Sequence, residues 1–202
     1  MTEKKSKNTR SSLLGKFLLS MPNTITGNTF YKSIIYVLFH SPLGSVGVTI
    51  NQPEFKISHK KIIALLKDKD IDIDNNQIAN NAALVIFSGG KIEPHKFILL
   101  HNDEYRVEKS KEIVGGINYI FPNEKILNDI VKNTAPKKFL FISGYNFWPP
   151  GHLENEINNN KWLISDSSKK IMFMKDNNSK WRSAINLLGA PHGLLITRYG
   201  NA

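Results

Sequence analysis

The sequence predicts an α+β fold built on a largely antiparallel sheet, and two observations carry that prediction. β-Branched and aromatic runs follow one another through very short turns, as in residues 33–39, the turn Ser41-Pro42-Leu43-Gly44 and residues 46–50. A parallel neighbour needs a crossover of a dozen residues or more, so these turns mean hairpins. Helical periodicity is confined to three or four segments and does not alternate strictly with strands, which sets aside a doubly wound sheet.

Taken in order, residues 33–39 (SIIYVLF) and 46–50 (VGVTI) are the first two strands, with Pro53 ending the second. Ser58 has the chemistry of an N-cap, and Ile62, Leu65 and Leu66 recur at helical spacing, so a helix is expected over residues 59–68. A polar loop follows from Lys67 to Asn81. Strands are expected at residues 84–88 and 97–101, separated by Gly89-Gly90 and Pro94, with weaker ones at 105–109 and 117–121. Asn123 should cap a helix with Ile126, Leu127, Ile130 and Val131 on one face, closed by Pro136. Residues 138–143 are a strand, and residues 144–151 (GYNFWPPG) read as a stiff loop of glycines, prolines and aromatics. A short helix at 152–159, strands at 162–165 and 171–174, and a helix from about Ser179 complete the chain. Trp181, Ile185 and Leu188 form the stripe of that last helix and Gly189 its C-cap.

Length and composition narrow the function. With 202 residues the chain suits one domain, expected over residues 13–202 after a polar, basic and disordered arm of residues 1–12. Hydrophobic residues at 41% and charged residues at 22% are those of a globular protein. No cysteine is present, which excludes disulfides, thiolate catalysis and Cys-ligated metal. No apolar run nears the roughly 20 residues of a membrane span, and residues 13–19, broken by Lys16, lack the pattern of a secretory signal. The expected location is cytoplasmic. The net charge of +10 raises the question of nucleic acid; outside the basic arm the cations come as short pairs such as Lys60-Lys61 and Lys137-Lys138, and whether these converge on one face is decided by tertiary structure.

Motifs are sparse. Asp70, Asp72 and Asp74 alternate as at the start of a calcium loop, yet the required glycine is Asn75 and the bidentate glutamate is Asn81, so a solvated loop is expected. The six histidines contain no helical pair at metal-ligand spacing, and no metal or cofactor site is expected. Ser45 and Ser88 lie beside glycines without the spacing of a nucleophile elbow, and Ser88-Gly89-Gly90 reads as a tight strand end rather than an anion cradle. Glu154 and Glu156 would act as acid or base only if buried with a partner.

The order Phe17-Leu18-Leu19-Ser20-Met21-Pro22, Phe30-x-x-Ser33-Ile34-Ile35-Tyr36 and Gly44-x-x-Gly47-x-x-Ile50-Asn51-x-Pro53 resembles the start of the AlgH/YqgE family of bacterial proteins. The likeness continues through Gly89-Gly90, residues 97–101 and Gly144-Tyr145-x-x-Trp148-x-x-Gly151-x-Leu153-Glu154-x-Glu156, then Asn160-x-Trp162, Trp181 and Leu188-Gly189. The chain departs from the pattern at Gly27-Asn28, at Lys91, and at the bulky Asn146, Phe147, Pro149 and Pro150. The resemblance implies an α+β domain with a bifurcated, partly barrel-like sheet surrounded by helices. It implies no reaction, only a proposed part in transcriptional regulation, and fold does not fix function.

Three readings stay open. One is a regulatory protein acting on gene expression directly or through a protein partner. The second is a small-molecule site or enzyme lined by Asn51, His101, Trp148 and Glu154, matching positions with no obvious core role. The third is an interaction module with the aromatic segment at 144–151 as its hot spot. The regulatory or interaction reading leads, because no catalytic motif is present.

Overall fold

The computed structural model describes residues 12–21, 30–58, 83–105, 107–132 and 134–189. Residues 1–11 of the expected basic arm, the helix at 59–68 and the polar loop with its Asp70–Asn81 stretch lie outside the described residues. The described strands are β1 (Lys16–Ser20), β2 (Ile34–Ser41), β3 (Gly44–Thr49), β4 (Pro53–Ser58), β5 (Ala83–Ser88), β6 (Ile92–Asn102), β7 (Lys111–Val114), β8 (Ile117–Ile120), β9 (Phe139–Trp148) and β10 (Trp162–Asp166). The described helices are α1 (Glu124–Val131), α2 (His152–Asn158), α3 (Lys169–Met172) and α4 (Asn177–Leu187).

The strands run in the order β10-β1-β2-β3-β9-β6-β8-β7, with β4 paired to β5 and β5 to β9. Among the described strands every pairing is antiparallel except β5 with β9. β9 is where the sheet divides. Its first part lies between β5 and β6, through partners such as Phe141 to Ile86 and Leu99. Its last residues leave them and pair with β3, Asn146 with Gly47 and Trp148 with Ser45. Gly144 marks the bend with φ +70, and a Cβ there would meet the Gly90 carbonyl oxygen at 2.5 Å. The result is the curled, bifurcated half-barrel of an α+β fold.

Strand periodicity then divides the core. Phe17 and Leu19 face a cluster with Tyr36, Val48, Ile50, Ile142, Met172, Trp181 and Ile185, whereas Leu18 faces Ile35, Val37, Trp148, Leu153 and Trp162 on the other side. With α3 and α4 on one face and α2 on the other, the central strands read as unbroken apolar runs, as strands buried on both faces do. A third cluster seats Ile126 and Ile130 of α1 on Leu99, Phe141 and Ile86. Asn123 caps α1 as its sequence position requires, its side chain accepting from Ile126 N at 3.1 Å.

Several expectations are corrected. Residues 144–148 are not loop but the end of β9, because Ser45, Val46 and Gly47 supply a partner strand that local composition does not reveal. Residues 171–174 do not form a strand; Ile171 and Met172 belong to α3, a single turn that drops both into the core. The expected strand at 105–109 is not formed by its described residues, of which Glu108 and Lys109 are in a turn, while the adjacent β7 and the Pro-headed β4 are strands the composition hides. Pro94 lies inside β6, where the register with β9 shifts between Ile92 and Phe97. The last helix begins at Asn177, because Asp176, not a residue nearer Ser179, caps it. Leu188 is exposed rather than on the buried stripe, and Gly189 follows with φ +69 as a helix-ending glycine does.

Candidate functional site

Two side-chain clusters lie toward opposite ends of β9. At its C-terminal end, Pro149, Pro150 and the left-handed Gly151 turn the chain so that α2 folds back over Trp148. Glu156 of α2 fastens the arrangement. Its Oε2 accepts the indole N–H of both Trp148 and Trp162, each at 2.8 Å, and Lys161 Nζ lies 3.3 Å from its Oε1. Burial pushes the Glu156 carboxyl up, but the bonds from Trp162, Trp148 and Lys161 together outweigh it and hold the group below the usual glutamate value. The two indoles meet edge to face with centroids 6.3 Å apart. Gly47 makes the seat, since a Cβ there would stand 2.6 Å from Ile35 Cγ2 and 3.4 Å from Trp148 Cζ3.

His40, Ser45 and Glu154 complete that end. His40 and Ser45 face each other across the β2–β3 hairpin, with His40 Nδ1 2.9 Å from Ser45 Oγ. His40 Nε2 stands 3.8 Å from Glu154 Oε1, an ion pair only when the imidazole is protonated. On the reverse face of the same strands, Phe39, Val46 and Phe147 stand in register across β2, β3 and β9. Phe39 and Phe147 are each 50% exposed, and Leu43 at the hairpin tip is 80% exposed. Ile92, paired with Tyr145 two residues along β9, prolongs this apolar row.

Of the four sequence-predicted residues, the structure brings Trp148 and Glu154 together and separates the other two. Asn51, between β3 and β4, reaches the start of β2, where its Oδ1 accepts from Ile34 N at 2.9 Å and its Nδ2 donates to Lys32 O at 2.8 Å. These bonds hold the turn in which Lys32 adopts φ +51. His101 pairs with Phe139 at the far end of β9, nine residues from Trp148 and on the order of 25–30 Å along the strand. There it is buried, with Nδ1 2.8 Å from Asn102 O and Nε2 2.6 Å from Ser110 Oγ, and with Tyr105 edge-on at 5.7 Å. Burial lowers its pKa, a backbone bond to Asn102 opposing.

Sequence reasoning gave no role to His40, Ser110 or Lys180, set Ser45 aside, and left Glu156 conditional on a buried partner. Glu156 had one legible signal, in that two tryptophans within eight residues of it need acceptors for their indole N–H groups once buried. Lys180 had none. It is fully buried on α4, donating to Ile50 O at 3.0 Å with Nζ 5.2 Å from the Phe87 ring centre, and burial pushes its pKa down to about 8. Ser88-Gly89-Gly90 is the tight strand end expected: Gly89 N–H is already given to Ser143 O at 2.8 Å, and a Cβ on Gly90 would fall 2.2 Å from the Tyr145 carbonyl. Among the described residues, no three His, Asp or Glu side chains are placed to share a metal ion. No described helix is long and apolar enough to cross a membrane.

The model of the AlgH-like family matches residues 17–193, which takes in every strand and helix described above except the first residue of β1. The chain belongs to the AlgH-like family. Its relatives include a UPF0301 protein of Rickettsia felis, 32% identical over 191 residues covering 95% of this chain and 96% of the relative. A UPF0301 protein of Rickettsia rickettsii matches equally well. Among solved structures, the AlgH protein from Pseudomonas aeruginosa is similar with TM-score 0.72 and 24% identity over all of both chains. A Corynebacterium diphtheriae protein follows with TM-score 0.65 and 16% identity, covering 97% of this chain and 93% of its own. These two likenesses establish the AlgH-like fold, and none of the matched descriptions states a reaction.

Proposed function

We propose that this AlgH-like protein is a cytoplasmic binding module, with residues 13–202 as its one domain, that acts on gene expression through a protein partner. The supporting observation is that Phe39 and Phe147, in register on either side of the half-buried Val46, stand with Leu43 and Ile92 as large apolar side chains in solvent on a three-strand surface. Fixed aromatics surrounded by polar groups are the make-up of an interface hot spot. The polar rim includes the exposed Lys91 and Lys96, the latter paired with Glu93, and the chain carries a net charge of +10. The partner therefore offers an apolar patch with an acidic border.

The test is the double variant Phe39→Thr, Phe147→Thr, which keeps β-forming residues on the strands. A partner captured by the wild-type chain from an extract of its host is identified, purified and titrated against both proteins, with unchanged circular dichroism as the control. Binding at least about tenfold weaker in the variant supports the reading. Equal affinity removes it, and concentration-dependent self-association lost in the variant assigns the row to a second copy instead. The net charge favours one other reading, direct nucleic-acid binding. That reading requires affinity to fall by about three to five decades between 50 and 200 mM salt if six or more phosphates are contacted.

A further inference from the structure

The second cluster, at the far end of β9, has the parts of a nucleophile and its base. Ser110 Oγ lies 2.6 Å from His101 Nε2, and on the opposite side of the ring Nδ1 lies 2.8 Å from the carbonyl oxygen of Asn102. A carbonyl only accepts, so Nδ1 carries the proton and donates it, which leaves Nε2 as the acceptor for the Ser110 hydroxyl. That tautomer and that order of contacts are what general-base activation of a serine requires. The ring is held by β6 on a buried position and by Tyr105 packed edge-on, so it cannot rotate freely.

The serine itself is presented by a turn. Lys109, immediately before it, has φ +71, an uncommon conformation for a side chain of that kind, and Ser110 N donates to Val107 O at 3.1 Å to close the loop. Glu108 and Lys109 are exposed, Ser110 is half-buried and His101 is buried, so the serine lies nearer the surface than its base.

We propose that Ser110 and His101 form a nucleophile–base pair that accepts an acyl group from a carboxylic ester. Ser110 Oγ forms a bond to the ester carbonyl carbon as its proton passes to His101 Nε2. The bond from that carbon to the alcohol oxygen breaks, and the leaving oxygen takes the proton from Nε2 and departs as an alcohol. Water then attacks the acyl-Ser110 carbonyl, giving one proton to Nε2. The carboxylic acid leaves and Ser110 Oγ recovers that proton. No oxidant, metal or further co-reactant enters the balance.

The experiment is covalent trapping with a fluorophosphonate, which a nucleophilic serine converts to a stable phosphonyl ester with loss of fluoride. The full chain is treated and the adduct located by peptide mass spectrometry. One adduct at Ser110 is expected, forming at least about tenfold faster than labelling of any other serine and absent in Ser110→Ala. His101→Gln, folded by circular dichroism, should slow it by about a hundredfold or more, the contribution typical of a positioned base. The wild-type labelling rate should rise with pH through a midpoint below 6.5, the direction burial imposes on His101. Among the described residues, the titratable groups facing that ring are Tyr105 and, through its hydroxyl, Asp129, and Tyr105 stays protonated throughout this range because burial and Asp129 push it upward. No adduct at Ser110, or a rate that ignores pH between 5 and 8, overturns the proposal. So does an unchanged rate in a folded His101→Gln variant; should that variant not fold, the pH profile decides.

Discussion

Lys180 gives the sharpest physical prediction. Its ammonium is fully buried, with one backbone acceptor at 3.0 Å and an aromatic face at 5.2 Å, and among the described residues no carboxylate pairs with it. Burial takes its pKa from 10.5 to about 8. At about 1.4 kcal/mol per pH unit, the charged form is disfavoured in the fold by about 3 kcal/mol relative to the unfolded chain. Below pH 8 both states are protonated and the whole cost is felt. Between about 8 and 10.5 the unfolded chain holds a proton that the folded one has released, so stability rises with pH across that window. Tyr36, raised mainly by burial, and Tyr105, raised by burial and Asp129, act in the opposite sense above pH 10. Lys180→Met keeps the volume, removes the charge and leaves Ile50 O without its donor, a loss of about 1–3 kcal/mol. Those opposing changes nearly cancel at pH 7, so a single melt says little. The informative measurement is urea denaturation of both proteins at pH 7, 8, 9 and 10. The wild type should gain about 2–3 kcal/mol relative to Lys180→Met over that range. Parallel stability curves would refute the reasoning, since they would mean that Lys180 keeps its proton in the fold or loses it in both states together.

Four further outcomes follow from the structure. Glu156→Ala leaves two buried indole N–H groups without acceptors and should lower stability by about 2–4 kcal/mol, read from the urea midpoint of tryptophan fluorescence. Because the Glu156 pKa is lowered in the fold, its contribution is present above the unfolded glutamate value near 4.5 and disappears as pH falls through the folded value; Glu156→Gln should therefore flatten the acid limb of the stability curve. Gly90→Ala forces a methyl to within 2.2 Å of the Tyr145 backbone and should destabilise by more than about 2 kcal/mol, whereas Leu43→Ser at the exposed hairpin tip should shift stability by less than about 0.5 kcal/mol, both read from thermal melts.

What the sequence determined by itself is what local chemistry controls. The hairpin of β2 and β3 follows from two β-prone runs around Pro42-Leu43, and the Asn123 cap follows from a side chain three residues before the amide it accepts from. The family pattern added the bifurcated sheet. The aromatic segment at 144–148 read as loop because glycine and bulky aromatics carry no strand period, and only the partner β3 makes it a strand. The same limit governs the sites. Trp148 was legible as a special residue, but its acceptor is Glu156 rather than Glu154, a choice made by which face α2 turns toward the indoles. His101 was legible as a candidate, while Ser110 and Asn102, which give its two nitrogens different roles, come from the turn after β6 and the strand itself. Lys180 is the clearest case, a lysine no pattern marks, placed wholly inside the core because Trp181, Ala184 and Ile185 commit that helix face to burial. Hydrogen-bond partners and burial depend on chains brought together from far apart in sequence, and only the tertiary structure sets those distances.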